Sequence, residues 1–159
     1  MSSLDIILDE IDSLSRKLIR LTECSDRLLL ADLQLTPAQA NTLLGLEHLG
    51  EVTMNGLADE MLLHGTTMTR MVDSLVMRGL VERLTDPKDR RVVRVRLTPS
   101  GGDAASEVRR RKREAMRKSL QRLPESDQNS LLKGLRRVVA LAEERSDGRC
   151  GDPKMPPGS

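Results

Sequence analysis

Short hydrogen-bonding side chains and one cation share a face of a predicted helix near the middle of the chain. Apolar residues recur there at spacings of three and four, which predicts an amphipathic helix from Gly65 to about Val76. Hydroxyl and guanidinium groups donate hydrogen bonds to the base edges and phosphates of DNA. The polar face therefore supplies candidate DNA contacts, which are Thr66, Thr67, Thr69, Arg70 and Ser74.

A basic turn follows this helix and supplies the other candidate contacts. Gly79 stands where a left-handed residue ends a helix, and two strand-like runs follow it. The turn between them begins with Asp86-Pro87 and carries Lys88, Arg90 and Arg91. A helix with a polar reading face followed by a basic hairpin is typical of a winged helix-turn-helix, in which the helix enters the major groove.

Positive charge is concentrated in the same part of the chain. The formal net charge of the 159 residues is only +2, but residues 63–122 contain 16 basic and 7 acidic residues, a net charge of +9. The two segments before it are acidic: residues 1–33 have a net charge of −3 and residues 34–62 a net charge of −4. This asymmetry indicates a polyanionic partner, although a solvated charged face with no partner is the plain alternative.

The composition excludes several classes of protein. With no Phe, Trp or Tyr, the core must consist of aliphatic residues and methionine, which favours helix packing. We find no nucleophile–histidine–acid arrangement, phosphate loop or carboxylate pair, so we expect neither an enzyme nor a cofactor. The sequence predicts no signal peptide and no membrane span, and therefore a cytoplasmic protein without a membrane partner.

The cysteines, histidines and methionines allow weaker functional interpretations. Cys24 and Cys150 are too far apart in sequence to indicate a disulfide framework, and His48 and His64 each stand alone, so we predict no metal site. Four methionines at helical spacing are interpreted as core residues, namely Met61, Met68, Met71 and Met77.

The flanking segments indicate a helical scaffold. Residues 4–22 have an apolar seam at three- and four-residue spacing, and residues 131–142 have a matching stripe, so pairing of the two ends within or between chains would cover both. A looser stretch is expected from Cys24 to Leu35. Thr36-Pro37, Thr53 and Thr98-Pro99 are helix starts, and the last of these opens a long helix ending near Leu123.

These elements predict a mostly α (α+β) fold, a winged helix-turn-helix whose N- and C-terminal helices form a dimerisation layer. We divide the chain into an N-terminal dimerisation helix (1–33), a DNA-binding domain (34–98) and C-terminal helices that complete the layer (99–145). The Gly-, Pro- and charge-rich residues 146–159 are predicted to be a disordered tail.

Six short patterns in order resemble the MarR family of bacterial transcription regulators across roughly residues 4–144. The patterns are Leu35-Thr36-Pro37-x-Gln39, Leu57-Ala58, Thr69-Arg70-x-Val72-x-x-Leu75, Gly79-Leu80-Val81-x-Arg83, Asp86-Pro87-x-Asp89-Arg90-Arg91 and Leu97-Thr98-x-x-Gly101. Together they form a specific signal, whereas each alone is weak.

The resemblance implies a homodimer that binds double-stranded DNA at a pseudo-palindromic operator and is released by a small-molecule effector, often an aromatic acid or other anion. Arg91 matches a family arginine that pairs with an acid at the start of the reading helix. This chain has His64 there, so the resemblance does not establish that salt bridge.

Other interpretations remain open at the level of sequence. Cys24 could make the protein a redox-responsive repressor, with Arg27 as the nearest cation in sequence. A winged-helix adaptor that does not read DNA would be expected to have a neutral or acidic reading face and a shortened wing, neither of which is present. The basic run Arg109–Arg113 is expected to consist of solvated residues with ion pairs between subunits. The sequence does not indicate the operator, the regulated genes, the effector or the direction of regulation.

Overall fold

The computed structural model describes the backbone of residues 2–145 and the side chains of residues 2–141. Within this range the chain is mostly helical, with a small three-stranded antiparallel sheet. The predicted tail at 146–159 lies outside the described residues. The elements are α1 (Ser3–Leu30), α2 (Pro37–Leu49), β1 (Val52–Thr53), α3 (Met54–Glu60), α4 (Gly65–Met77), β2 (Val81–Thr85), β3 (Val93–Leu97), α5 (Pro99–Leu120) and α6 (Glu125–Arg145).

Threonine caps fix the starts of three helices, as the sequence predicts. At α2, Thr36 Oγ1 accepts a hydrogen bond from the Gln39 amide at 3.2 Å, and Gln39 Oε1 accepts one from the Thr36 amide at 2.9 Å. Thr53 caps α3 and Thr98 caps α5 in the same way through their hydroxyl oxygens. These bonds satisfy amide groups that have no partner inside the helix.

The sheet forms the wing and closes onto the helices. Its strand order is β1-β3-β2, with Val52 opposite Val95 and Val81 opposite Leu97. Gly79 has a φ of 69°, the left-handed conformation needed to leave α4 and enter β2. The hairpin therefore has the predicted order, and residues 86–92 form its tip.

One aliphatic core joins α2, α3, α4, the sheet and the start of α5. Its fully buried side chains are Leu30, Leu43, Leu46, Leu57, Met68, Val72, Leu75, Val81, Val95 and Val108. Because Met68, Val72 and Leu75 occupy the inner face of α4, the polar residues of that helix must face outward.

Three predictions about local structure were wrong. Helix α1 continues to Leu30 instead of loosening at Cys24, because no glycine or proline interrupts it and Leu30 is held in the core. Helix α5 ends at Leu120, not near Leu123. Met77 is 86 % exposed at the last position of α4 and is not a core residue, whereas Met61 and Met71 pack against the core.

Helices α1 and α6 present apolar stripes that the described chain leaves exposed. The larger members, all at least 45 % exposed, are Leu4, Ile7, Ile11, Leu14, Leu18, Leu21, Leu131, Leu132, Leu135, Val138 and Val139. Burial of such stripes normally provides most of the stability of a long helix. The two ends are thus not covered by the rest of the described chain.

Candidate nucleic-acid interface

The outer face of α4 presents four of the five predicted contact residues to solvent. Thr66, Thr67, Thr69 and Arg70 are exposed, and Arg70 has no ion-pair partner among the described residues. The Thr69 hydroxyl donates to the Gly65 carbonyl at 2.8 Å, so its oxygen remains available only as an acceptor. This face is therefore free to meet a ligand.

Ser74 differs from the other predicted contacts because it is half-buried and already bonded. Its Oγ lies 2.5 Å from Gln39 Nε2, which donates from the first turn of α2. This bond joins the two helices and forms one end of an open groove. The groove, of about 580 Å³, is lined by Thr36, Gln39, Thr66, Thr67, Arg70, Met71 and Ser74.

Helix α4 is held to the rest of the fold by ionic contacts beyond its apolar face. Asp73 Oδ1 lies 2.7 Å from Arg83 Nη1 on β2. At the C-terminus, the guanidinium of the cap residue Arg78 donates hydrogen bonds to two backbone carbonyls of the α1–α2 linker. At the N-terminus His64 makes no side-chain cap, which leaves the first amides of α4 without a side-chain acceptor.

A buried carboxylate shapes the wing tip. Asp86 is 7 % exposed, and its Oδ1 accepts hydrogen bonds from the amides of Lys88 at 2.7 Å and Asp89 at 3.1 Å. Its Oδ2 accepts one from Arg94 Nε at 2.5 Å. The Arg94 guanidinium, followed by the two amides, lowers the pKa of this carboxyl below its ordinary value. Asp86 therefore stays ionised and fixes the turn.

The three predicted wing contacts all lie exposed on this turn. Lys88, Arg90 and Arg91 have no ion-pair partner in the part of the chain that is described. The Arg91 amide donates to Asp89 Oδ1 at 2.9 Å, but its side chain makes no salt bridge to the start of α4. The wing thus carries three cations that form no salt bridge within the described part of the chain.

Other basic residues of the same segment are neutralised within the chain. Arg94 and Arg96 pair with acids of the wing sheet, and Arg109 lies 2.8 Å from Glu47 of α2. Residues Arg109–Lys112 form ion pairs with acids of the same chain, and the predicted ion pairs between subunits stay a prediction. Arg113 is exposed and has no such partner among residues 2–141.

The structure adds three residues that sequence reasoning did not place at the site. In the sequence, Gln39 stood out as the last residue of the pattern Leu35-Thr36-Pro37-x-Gln39, but its side-chain amide also reaches Ser74. Asp86 was identified only as the first residue of the wing turn, and Arg78 was assigned no role. The Asp-Pro turn start indicated a side chain bonded to its own backbone, which is the bond that Asp86 makes. No sequence signal indicated the contacts of Arg78, because its acceptors are 44 and 45 residues away.

The described residues contain no other obvious chemical centre. They include no cluster of three histidine, cysteine or acidic side chains that could hold a metal ion. Cys24 is a free thiol exposed on α1, and Cys150 lies outside the described residues. Among the described helices, none combines the length and the hydropathy that a membrane span requires.

Comparison with known proteins connects this geometry to a family. The model of the MarR family matches residues 35–93. The chain is 29 % identical to the multiple antibiotic resistance protein MarR of Salmonella typhimurium over 142 residues, which cover 87 % of this chain and 99 % of that protein. It is 36 % identical to the protein of the same name from Escherichia coli K12 over 104 residues, 64 % of this chain and 72 % of the relative.

A solved structure similar to this chain contains DNA. It is the crystal structure of a cysteine-to-serine mutant of E. coli MarR complexed with operator DNA. The match has a TM-score of 0.67 at 29 % identity and covers 82 % of this chain and 96 % of the other. The residues that match the family model, 35–93, contain α4 and the tip of the wing.

Proposed function

The chain belongs to the MarR family of DNA-binding transcription regulators, and we propose that it acts as a homodimeric repressor of a pseudo-palindromic operator. In this proposal α4 enters the major groove, where Thr66, Thr67, Thr69 and Arg70 meet the DNA and Ser74 borders the contact. The wing brings Lys88, Arg90 and Arg91 to the backbone or the minor groove.

The observation that carries the proposal is the placement of cations without acidic partners. Arg70 and the three wing cations lie on exposed elements that follow one another, while acids neutralise Arg83, Arg94 and Arg96 beside them. Unpaired cations next to exposed hydroxyls favour binding of phosphates and base edges. The complex of E. coli MarR with operator DNA supports the same role for this face.

The exposed stripes of α1 and α6 support a dimer. We assign residues 1–33 and 99–145 to the dimerisation layer and residues 34–98 to the DNA-binding domain. A second copy would cover the stripes, since apolar patches of this extent are rarely left exposed in soluble monomers. Two-fold symmetry would then place the two α4 helices at half-sites about one helical turn apart.

Selection from random duplexes tests the proposal directly. The purified protein is mixed with a random double-stranded library, and bound duplexes are amplified and sequenced over several rounds. We expect an inverted repeat with half-site centres about 10 base pairs apart and two chains bound per duplex. The affinity of the selected operator is then measured against salt concentration.

Variants separate DNA reading from adaptor function. The double variant Arg70→Ala/Arg90→Ala is expected to lose most specific binding, and Arg113→Ala, which removes an exposed and unpaired cation elsewhere, is the matched control. Two substitutions in each chain remove four arginines from a dimer. If all four contact phosphates, the slope of log K against log salt becomes shallower by about 4. Unchanged operator affinity in the folded double variant would contradict the assignment.

For the effector we propose an aromatic or other small anion. The groove beside α4 supports this class because it combines the unpaired guanidinium of Arg70 with the half-buried side chain of Met71. Without aromatic residues, the protein must hold a ring through aliphatic and thioether contacts. Benzoate at millimolar concentration should then release the operator in a fluorescence anisotropy titration, and acetate at the same ionic strength should not.

A further inference from the structure

The four-residue turn between α1 and α2 is held on both sides by arginines from other elements. It spans residues 31–34 and lies between the buried side chains of Leu30 and Leu35. Gln34 has a φ of 53°, a left-handed conformation that few non-glycine residues adopt. The amides of Leu33 and Gln34 donate to the carbonyls of Leu30 and Ala31, each at 3.1 Å. No backbone amide among the described residues donates to the carbonyls of Leu33 and Gln34, which are therefore open to side-chain donors.

Arg78 holds the turn from the side of the DNA-binding helix. It is the C-terminal cap of α4, and its Nη1 donates to the Gln34 carbonyl at 2.7 Å. Its Nη2 donates to the Leu33 carbonyl at 2.9 Å. A planar guanidinium that meets two successive carbonyls fixes both the distance and the angle between the end of α4 and the turn.

Arg111 of α5 holds the same turn from the other side. Its Nη1 lies 2.5 Å from Asp32 Oδ1 and 2.7 Å from the Leu29 carbonyl, and its Nη2 lies 2.8 Å from Asp32 Oδ2. Its Nε donates to Glu107 Oε1 at 2.6 Å on the same helix, which orients the guanidinium. Arg111 thus connects α5 to the last turn of α1 and to the linker.

The neighbouring residue Lys112 strengthens this connection. Its Nζ lies 2.8 Å from Asp26 Oδ2 on α1 and 2.9 Å from Asn41 Oδ1 on α2. Arg111 and Arg78 thus bind neighbouring residues of the same short segment, 29–34, and the backbone of that segment connects α5 and α1 with the end of α4. None of these groups belongs to the face of α4 that carries Thr66 and Arg70.

We propose that Arg78 and Arg111 are positioning residues for operator recognition, because together they set the orientation of α4 relative to the dimerisation helices through residues 29–34. The inference rests on the proposed function. Two half-sites on a rigid duplex tolerate little error in the separation of the two reading helices. A loosened turn would spread α4 over several orientations, and affinity would fall with the fraction of molecules in the competent one.

The test compares three arginine-to-methionine variants, since methionine keeps an apolar stem and removes the guanidinium. Arg78→Met and Arg111→Met lose the contacts described, and Arg113→Met is the control, with the same charge change on α5 at an exposed position without an ion pair. Each protein is titrated with the selected operator, with operators that carry one inserted or deleted base pair between half-sites, and with an unrelated duplex. Circular dichroism and thermal unfolding establish that each is folded.

We expect Arg78→Met and Arg111→Met to bind the operator about tenfold more weakly, within the usual range of coupling between sites. Affinity for the unrelated duplex and the salt slope should match the wild type, because no phosphate contact is lost. The loss of affinity caused by a changed half-site spacing should become severalfold smaller. The double variant should lose less binding free energy for the operator than the sum of the losses in the two single variants. Mere loss of folded protein would leave the spacing preference unchanged.

Unaltered operator affinity and spacing preference in both folded variants would overturn the inference. A salt slope shallower by about 2 in Arg78→Met would overturn it as well, because Arg78 would then contact phosphate. If Arg111→Met does not fold, Asp32→Asn removes the charge of its exposed partner and should relax the spacing preference in the same direction. A wild-type protein that selects no duplex would refute the proposed function instead, so the two failures are distinguishable.

Discussion

Replacement of Gly101 by alanine should destabilise the protein, whereas the same change at Gly102 should not. A Cβ atom at Gly101 would lie 1.8 Å from the carbonyl oxygen of Leu80 and 2.9 Å from its carbonyl carbon. Nonbonded heavy atoms are most stable about 3.5–4.0 Å apart, so the backbone must move by more than about 1 Å. The Leu80 carbonyl also accepts from the Thr98 amide at 3.1 Å, which resists that movement.

The size of the effect follows from two opposing contributions. Overpacking of this kind costs about 1–3 kcal/mol or more, and the better helix propensity of alanine offsets up to about 1 kcal/mol. Because the 1.8 Å approach is to backbone and the cost therefore lies at the upper end of that range, we expect Gly101→Ala to lower the free energy of unfolding by about 2 kcal/mol or more and Tm by about 4–8 °C or more. At Gly102 no atom lies within 4 Å of the added Cβ, so only the propensity gain of up to about 1 kcal/mol remains.

Urea and thermal unfolding of the wild type and both variants, followed by circular dichroism, measure these differences. All three proteins must be compared at one concentration, because the stability of the proposed dimer would depend on it. The opposite signs at two adjacent glycines provide the internal control. A Gly101→Ala protein as stable as Gly102→Ala would refute the reasoning, since it would mean that the first turn of α5 does not approach Leu80 closely.

Three further variants test other parts of the structure. Hydrogen bonds from Arg110 and, second, Arg111 lower the pKa of Glu107 from 4.5 to about 2. The ionised carboxylate therefore contributes its full stabilisation above pH 4.5, and this is lost as the pH falls to about 2. In Glu107→Gln, the free energy of unfolding should depend less on pH in that range. Asp86→Asn removes the charged acceptor of the wing turn, and trypsin should then cleave after Lys88 faster than in wild type, as limited proteolysis would show. Leu18→Glu should shift sedimentation from dimer toward monomer, and Lys17→Glu, one position away, should not.

Local sequence rules predicted the elements that carry the candidate interface. The starts of α2, α3 and α5 depend on a threonine and the amides of the following turn, so they can be predicted from the local sequence without knowledge of the fold. The apolar period of α4 likewise determines which face is buried, and the face opposite to Met68 and Leu75 was correctly predicted to be polar and outward. The hairpin followed from two strand-like runs around the Asp-Pro turn.

Features that depend on residues distant in sequence were missed. Arg111 has one local partner, Glu107 at i−4, but its other partners, Asp32 and the Leu29 carbonyl, are 79 and 82 residues away, and no local pattern indicates them. The end of α1 is decided by burial of Leu30 against the rest of the core. Met77 is a different case, because at about 100° per residue it lies on the face of α4 opposite Met68, so helical spacing itself places it outside the core.

Ion pairs within the chain reduce the number of cations in residues 63–122 that can neutralise DNA phosphates. The slope of log K against log salt depends only on cations that neutralise phosphates. Arg109, Arg111 and Lys112 of α5 do not contribute to it, because each is paired with an acid of the same chain. Four unpaired cations on α4 and the wing of each chain give eight in a dimer, for a slope no steeper than about −7. A steeper measured slope would require unpaired cations farther along α5, such as Arg113, to reach the duplex, and the interface would then extend beyond the winged domain.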